Sequence, residues 1–280
     1  MSIKTIAVSL VDIERQDNVM NAAFSLAGLH DAHLLGIYTV PSPDGIAIPA
    51  SYGAIATEIM QSRHFEENLD GVKDRFEDAA RRHGVRAEWR RVDGETGLLA
   101  DAMLKHACYA DLIVAGQVNS STSTTIETDF VERLILESGR PVLVIPNIGD
   151  YASVGTNVLI GWNATREALR AAFDAVPLIK AAKRVELLWA NARDEPELAG
   201  DLPGAELAAV FSRHDIKVVA KSISASNLSP ADALLNEAAD SGADLIVIGA
   251  YGHSRLREFV FGGVTRTMLQ SMTAPVLMSH

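Results

Sequence analysis

The sequence ADLIVIGAYGHSRLREFVFGGVTRTM, residues 243–268, combines a strand-like run with three glycine positions. ADLIVIG is a continuous aliphatic run, which is typical of a strand buried on both faces of a sheet. It ends on Gly249. Gly252 follows, and a glycine pair, Gly262 and Gly263, precedes a stretch with helical periodicity. The stretch therefore predicts a buried strand, a glycine-containing loop and a helix, in this order.

The strand ADLIVIG has a counterpart earlier in the chain. ADLIVAG at 110–116 corresponds to ADLIVIG at 243–249, and PVLVIP at 141–146 corresponds to PVLMSH at 275–280. Three further strand-like runs recur in the same order in both halves, with helical patterns between them. Strands that alternate with helices predict a parallel sheet with helices on both faces.

This repeat predicts two tandem doubly wound α/β domains, each with a five-stranded parallel sheet and helices on both faces. The first domain is expected at 1–148 and the second at 152–280, joined by the linker NIGDYASVGT at 147–156. The segment at 41–62 has no counterpart of similar composition in the second half. It is expected to form a loop with a short helix.

Composition restricts the class of protein. The 280 residues are 48% hydrophobic and 22% charged, as in soluble globular proteins. The net charge of −11 argues against a general affinity for nucleic acid or anionic membranes. The N-terminal sequence does not resemble a signal peptide, and no apolar run reaches about 18 residues, so a cytoplasmic protein without a membrane span is expected. The single cysteine, Cys108, excludes an internal disulfide.

The glycines near the C-terminus fit a site for an anionic ligand. Ligands of open α/β sheets bind outside the carboxyl ends of the strands, where Gly249 lies and where a missing Cβ lets backbone approach a ligand. Gly252 is expected to adopt a positive φ. Free N–H groups at the helix N-terminus near Gly263 favour phosphate. The alternative, that the glycines serve only as turn residues, is equally compatible with their spacing. Three arginines add positive charge nearby: Arg255, Arg257 and Arg266.

The spacing G-x2-G-x9-G, with its flanking runs ADLIVIG and PVLMSH, resembles the signature of the universal stress protein family. Both halves are similar to this family over nearly their full length, so the chain resembles a tandem member with an adenine nucleotide alpha hydrolase-like fold. In ATP-binding members, the motif surrounds the ribose and the phosphates. The resemblance implies an ATP site in the second half, to which Mg²⁺ could come with the phosphates. The expected cofactor-binding residues are Asn163, Ala190, Gly249, Gly252, His253, Gly262, Gly263, Val264 and Thr265.

Two of these positions depart from the family pattern. Asn163 stands where the family prefers Asp near the ribose, and only its side-chain carbonyl can accept a hydrogen bond, without charge. Gly263 stands where the family prefers Ser or Thr, which removes a hydroxyl donor but keeps the backbone N–H. Both changes are expected to weaken ATP binding without abolishing it.

The first half departs further. Gly116 and Asn119 keep the first spacing of the motif, but Asp129 and Phe130 replace the glycine pair. Asp129 would place a negative charge where a phosphate should lie, so no ATP is expected in this half. The Ser/Thr run at 120–125 is interpreted as a solvated loop, with a phosphate cradle as the less favoured alternative.

Three functions are compatible with these residues. The favoured one is a cytoplasmic stress-response protein that binds ATP, or another adenine nucleotide, in the C-terminal domain and acts as a sensor or binding module. A slow ATPase is less favoured, because no general base or nucleophile is evident near the glycines. An interaction scaffold without nucleotide binding is the third, favoured by Asn163 and Gly263. No catalytic residue and no metal-ligand set is assigned.

The runs PVLVIP and PVLMSH are the expected fifth strands, and open strand edges need partners. In the family, fifth strands pair across a dimer interface. The resemblance therefore implies an internal pseudo-dimer through the fifth strands, with a homodimer of the chain as an open alternative. Protein partners cannot be named from the sequence.

Overall fold

The computed structural model describes most of the chain: residues 2–41, 52–94, 98–118, 126–151, 153–191, 204–224, 227–252 and 263–280. Of residues 52–58, only the backbone is described. Two compact units comprise residues 2–140 and 141–280. Within the described ranges, no helix is both long enough and apolar enough to cross a membrane.

Strands and helices alternate along the chain. The strands are β1 Thr5–Ser9, β2 His33–Pro41, β3 Ala87–Gly94, β4 Leu112–Gly116, β5 Val142–Ile145, β6 Asn157–Gly161, β7 Arg184–Ala190, β8 Val218–Ile223, β9 Leu245–Gly249 and β10 Val276–Ser279. The helices are α1 Gln16–His30, α2 Tyr52–His83, α3 Leu99–Ala107, α4 Phe130–Glu137, α5 Arg166–Asp174, α6 Val176–Ile179, α7 Ala205–Ser212, α8 Pro230–Ser241 and α9 Gly263–Ser271.

In the N-terminal unit, four parallel strands lie in the order β3-β2-β1-β4. Their core includes an aromatic cluster, in which Phe76 of α2 packs against Phe24 and Trp89 with ring centroids 5.3 and 5.9 Å apart. Tyr38 of β2 stacks on Trp89 at 5.6 Å. These rings join the helices to the sheet through buried apolar surface.

In the C-terminal unit, five parallel strands lie in the order β10-β9-β6-β7-β8. This order repeats that of the first four strands of the chain. Strand β5 belongs to the same unit and pairs antiparallel with β10, Val142 lying opposite Met278. The two fifth strands therefore pair with each other, and the outer edge of β10 is covered. The contacts of β5 group it with the C-terminal unit, although the repeat assigns it to the first domain at 1–148.

The direction of the winding changes between β6 and β9. The chain leaves β6 through α5 towards β7 on one side, and it returns from β8 through α8 to β9 on the other side of β6. Ligands of doubly wound folds bind at the carboxyl ends of the strands at such a switch point. The predicted doubly wound α/β fold is confirmed.

One expectation about the first half is wrong. Helix α2 begins at Tyr52 and continues for 32 residues, so the part of 41–62 from Tyr52 onwards is not a loop with a short helix. Residues 42–51 lie outside the described ranges. The helix continues because no proline follows Tyr52 within it and because one stripe remains apolar: Phe65, Val72, Phe76 and Ala79 are all buried at helical spacing.

Candidate functional site

A cavity of about 520 Å³ lies at the carboxyl ends of three strands of the C-terminal unit. Gly161 ends β6, Ala190 ends β7 and Gly249 ends β9, and all three line the cavity. Its volume falls within the range of small-molecule sites, which is about 300–1,000 Å³. The cavity therefore has the size and the place in the fold that a ligand site requires.

The cavity brings together residues that lie far apart in the sequence. His253 and Gly262 are outside the described ranges, so nothing is said of their positions. The other seven residues expected from the sequence all line the cavity: Asn163, Ala190, Gly249, Gly252, Gly263, Val264 and Thr265.

Further lining residues were not expected from the sequence as parts of the site. They come mainly from the first turn of α5 and from aromatic positions. Thr165, a preferred N-cap residue type, and the acidic Glu167 in the first turn were sequence signals for the start of α5, and they could have placed these two residues near the end of β6. The additional residues with polar or aromatic side chains are Trp162, Thr165, Glu167, Trp189, Asn191 and Tyr251.

The start of α5 is fixed by short-range hydrogen bonds. Thr165 is the N-cap residue, and its Oγ1 accepts a hydrogen bond from the Ala168 N–H at 3.3 Å. The Asn163 Oδ1 accepts hydrogen bonds from the Thr165 N–H at 3.3 Å and from the Thr165 hydroxyl at 2.8 Å. The carbonyl oxygen of Asn163 is thus engaged within the protein. These bonds leave the side-chain NH₂ group of Asn163, a hydrogen-bond donor, for a ligand. The sequence had instead predicted that Asn163 would accept a hydrogen bond from a ribose hydroxyl.

The turn after β9 differs from expectation. Gly252 is not among the residues with positive φ. The left-handed residue is instead its neighbour Tyr251, with φ of 61°. The Tyr251 N–H donates to the Oγ1 of Thr265 at 3.4 Å, and Thr265 is buried in α9. The backbone can adopt this conformation because the hydrogen bond to α9 holds the turn in place.

Glycine at position 249 makes room for another part of the protein, whereas the sequence predicted that it makes room for a ligand. A Cβ at this position would overlap the backbone N of Ala168 and the carbonyl carbon of Glu167, and it would lie 2.7 Å from the Glu167 oxygen. The first turn of α5 therefore packs directly on the end of β9. Glycine is required here for helix–strand packing, and the same contact brings the first turn of α5 to the cavity.

The electrostatics of the cavity combine one carboxylate with two helix N-termini. Among the described lining residues, Glu167 is the one charged side chain. It is buried, and its Oε1 pairs with Arg166 Nη2 at 3.1 Å. The N-termini of α5 and α9 carry partial positive charge from their free N–H groups and dipoles. The cavity thus offers both attraction and repulsion to an anion.

An aromatic wall lies beside the polar part of the cavity. Trp189 is almost fully buried and packs against Trp162, and both also line the cavity. These residues thus combine core packing with a position at the cavity. Such a wall suits a flat apolar group.

A preformed metal centre is not found in the part of the chain that the structure describes. There, no group of three or more His, Cys, Asp or Glu side chains could hold a metal ion. With only Glu167 contributing a carboxylate to the described lining, a divalent cation would take most of its ligands from phosphates and water.

In the N-terminal unit, the protein's own side chains lie at the starts of α3 and α4. Asp129 is the N-cap residue of α4, and Phe130, its first residue, is fully buried. The Glu127 Oε1 accepts a hydrogen bond from the N–H of Leu99, the first residue of α3. Burial raises the pKa of this carboxyl above its usual range. The Glu127 carboxyl group thus accepts a hydrogen bond from a helix N-terminus, the kind of position at which anions bind.

Comparison with known proteins shows a family match in the C-terminal part of the chain. Residues 157–280 match the model of the universal stress protein family. These residues form a domain of this family. A 51-residue stretch is 43% identical to universal stress protein YxiE of Bacillus subtilis (strain 168), covering 18% of this chain and 34% of that protein. The match thus spans about a third of the relative's length.

Two solved structures show the same fold over nearly the whole chain. A universal stress protein from Archaeoglobus fulgidus DSM 4304 is 15% identical, with a TM-score of 0.69 over 98% of this chain and 97% of that chain. A structure from Pseudomonas aeruginosa UCBPP-PA14, assigned to the same family, is 16% identical, with a TM-score of 0.58 over 99% and 93%. The adenine nucleotide alpha hydrolase-like fold expected from the resemblance is confirmed.

The packing of α5 on β9 predicts that Gly249→Ala is destabilising. The added methyl group would force the two backbones apart, at a cost of about 3 kcal/mol in the free energy of unfolding. Urea unfolding followed by circular dichroism measures this cost. The matched control is Gly71→Ala in α2, where a Cβ meets nothing within 4 Å. That change should raise stability by up to about 1 kcal/mol. Equal stability of the two variants would contradict the packing role of Gly249.

Proposed function

We propose that the whole chain is a universal stress protein and that it binds an adenine nucleotide, ATP in particular, in the cavity of its C-terminal domain. It acts as a binding module of the stress response in the cytoplasm, and nucleotide occupancy changes its interactions with protein partners. The observation that carries the proposal is the cavity itself, which lies at the switch point and gathers seven of the nine residues that the family motif assigns to the site.

The two ends of the cavity suit the two ends of a nucleotide. Ala190 at the end of β7 lies beside the aromatic wall of Trp162 and Trp189, which suits a purine base. Gly252 and the start of α9 at Gly263 provide backbone N–H groups for phosphates. The base would therefore lie towards β7 and the phosphates between β9 and α9.

Slow ATP hydrolysis is a second candidate, and one residue favours it. Glu167 is a buried carboxylate in the cavity, and a carboxylate can act as a general base towards water. Binding without turnover is the preferred function, because the described lining residues include no second carboxylate and no His, Lys or Cys that could assist Glu167. Phosphate release at saturating ATP distinguishes the two candidates.

The pairing of β5 with β10 supports a further proposal, that the two repeats of the chain form a pseudo-dimer through their fifth strands. A single chain would then need no second copy to cover these edges. Homodimerisation of the whole chain would use another surface.

Gly252→Val is expected to abolish ATP binding, because the new side chain would enter the cavity beside Glu167. A Cβ at this position would lie 3.1 Å from Glu167 Oε2. Isothermal titration with Mg-ATP measures the affinity, and the emission of Trp162 and Trp189 provides a second signal. The matched control, Gly71→Val, places the same side chain on the exposed face of α2, away from the cavity. Wild-type affinity in a folded Gly252→Val protein would refute the proposed site.

Gly263→Ser is expected to strengthen ATP binding roughly three- to tenfold, about the value of one additional hydrogen bond. A Cβ at Gly263 meets nothing within 4 Å, so the hydroxyl can be added without displacing other atoms. Gly263→Ala is the matched control, since it adds the same carbon without the hydroxyl. If Ser and Ala change the affinity equally, the hydroxyl does not contact the phosphates.

A further inference from the structure

The cavity contains a charge that opposes its expected ligand. Glu167 is 7% exposed, and it is the one charged side chain among the described residues that line the cavity. Its Oε2 faces Gly252, the glycine that follows β9, where backbone is expected to bind phosphate. A negative charge therefore stands beside the path of a polyphosphate.

The carboxylate is held in this place by the packing of α5. The backbone of Glu167 contacts Gly249 so closely that a Cβ at Gly249 would overlap it. The N-cap hydrogen bonds of Thr165 and Asn163 fix the first turn from the other side. The backbone of Glu167 therefore cannot move away from the cavity unless α5 leaves β9, and a ligand meets the carboxylate at this side of the cavity.

The neighbouring cation compensates for this charge only in part. Arg166 contacts Glu167 Oε1 at 3.1 Å, but its own side chain is 81% exposed. Solvent and salt screen an exposed charge strongly, whereas a buried charge keeps most of its effect on an anion nearby. The helix N-termini of α5 and α9 each contribute only about half an elementary charge. A metal-free triphosphate would therefore be repelled locally by the Glu167 carboxylate where its phosphates pass Gly252.

We propose that Glu167 determines the charge state of the ligand: it makes the site select the magnesium-bound nucleotide over the free nucleotide. A divalent cation on the phosphates reverses the interaction with the carboxylate, because the cation lies between two groups of negative charge. The inference rests on the proposed nucleotide site and adds a requirement to it. Glu167 is a specificity-determining residue in this account and needs no catalytic role.

The test compares ATP binding in excess Mg²⁺ with ATP binding in EDTA, for the wild type and for Glu167→Gln. The wild type is expected to bind Mg-ATP at least about tenfold more tightly than metal-free ATP, the size of one charge–charge contact in a partly desolvated site. In Glu167→Gln, the ratio should fall to about threefold or less, because metal-free ATP binds more tightly. Calorimetry measures all four affinities.

The matched control is Glu206→Gln. Glu206 is the second residue of α7, as Glu167 is of α5, but it is exposed and does not line the cavity. This variant removes the same charge from the same helix position and should keep the wild-type ratio. Thermal unfolding of each variant checks that it is folded, and Glu167→Asp, which keeps the charge, should retain most of the preference for Mg-ATP.

The outcomes distinguish a failure of the role of Glu167 from a failure of the proposed nucleotide site. A wild type that binds ATP with the same magnesium ratio as Glu167→Gln overturns the role of Glu167 and leaves the nucleotide site intact. The same conclusion follows if Glu206→Gln lowers the ratio as much as Glu167→Gln does. A wild type that binds no adenine nucleotide in either buffer overturns the proposed function and this inference together.

Discussion

The direct packing of α5 on the end of β9, possible only because Gly249 has no side chain, is the contact on which the candidate site depends. It brings the N-terminus of α5 to the carboxyl end of the sheet, with Thr165 as its cap and Glu167 in the cavity. The cap in turn engages the carbonyl oxygen of Asn163. One steric condition at a strand end thus decides which polar groups a ligand meets.

Much of the fold could be predicted from the sequence, because aliphatic runs such as ADLIVIG reveal buried strands and their repetition reveals the order of the elements. The topology then places the strand ends together, so Ala190 and Gly249 could be assigned to one site. Glu167 could not be found in this way. Its place in the cavity depends on the packing of α5, which is a tertiary contact between residues far apart in the sequence.

Local conformation was also less predictable than topology. Gly252 was the natural candidate for a positive φ, but Tyr251 adopts it because the bond from its N–H to Thr265 holds the turn. The sequence likewise suggested a ribose acceptor at Asn163, whereas the start of α5 uses that oxygen. At both positions, the local conformation depends on a hydrogen bond to another residue and does not follow from the conformational preference of the residue type.

The two units use one topology in different ways. In the C-terminal unit, the helix N-termini face a cavity, whereas in the N-terminal unit Glu127 binds the start of α3 and Phe130 is buried at the start of α4. The central claim is therefore that one chain holds one nucleotide. Calorimetric titration of the full chain with Mg-ATP tests it most directly. The account predicts one site per chain, and a stoichiometry of zero or two would contradict it.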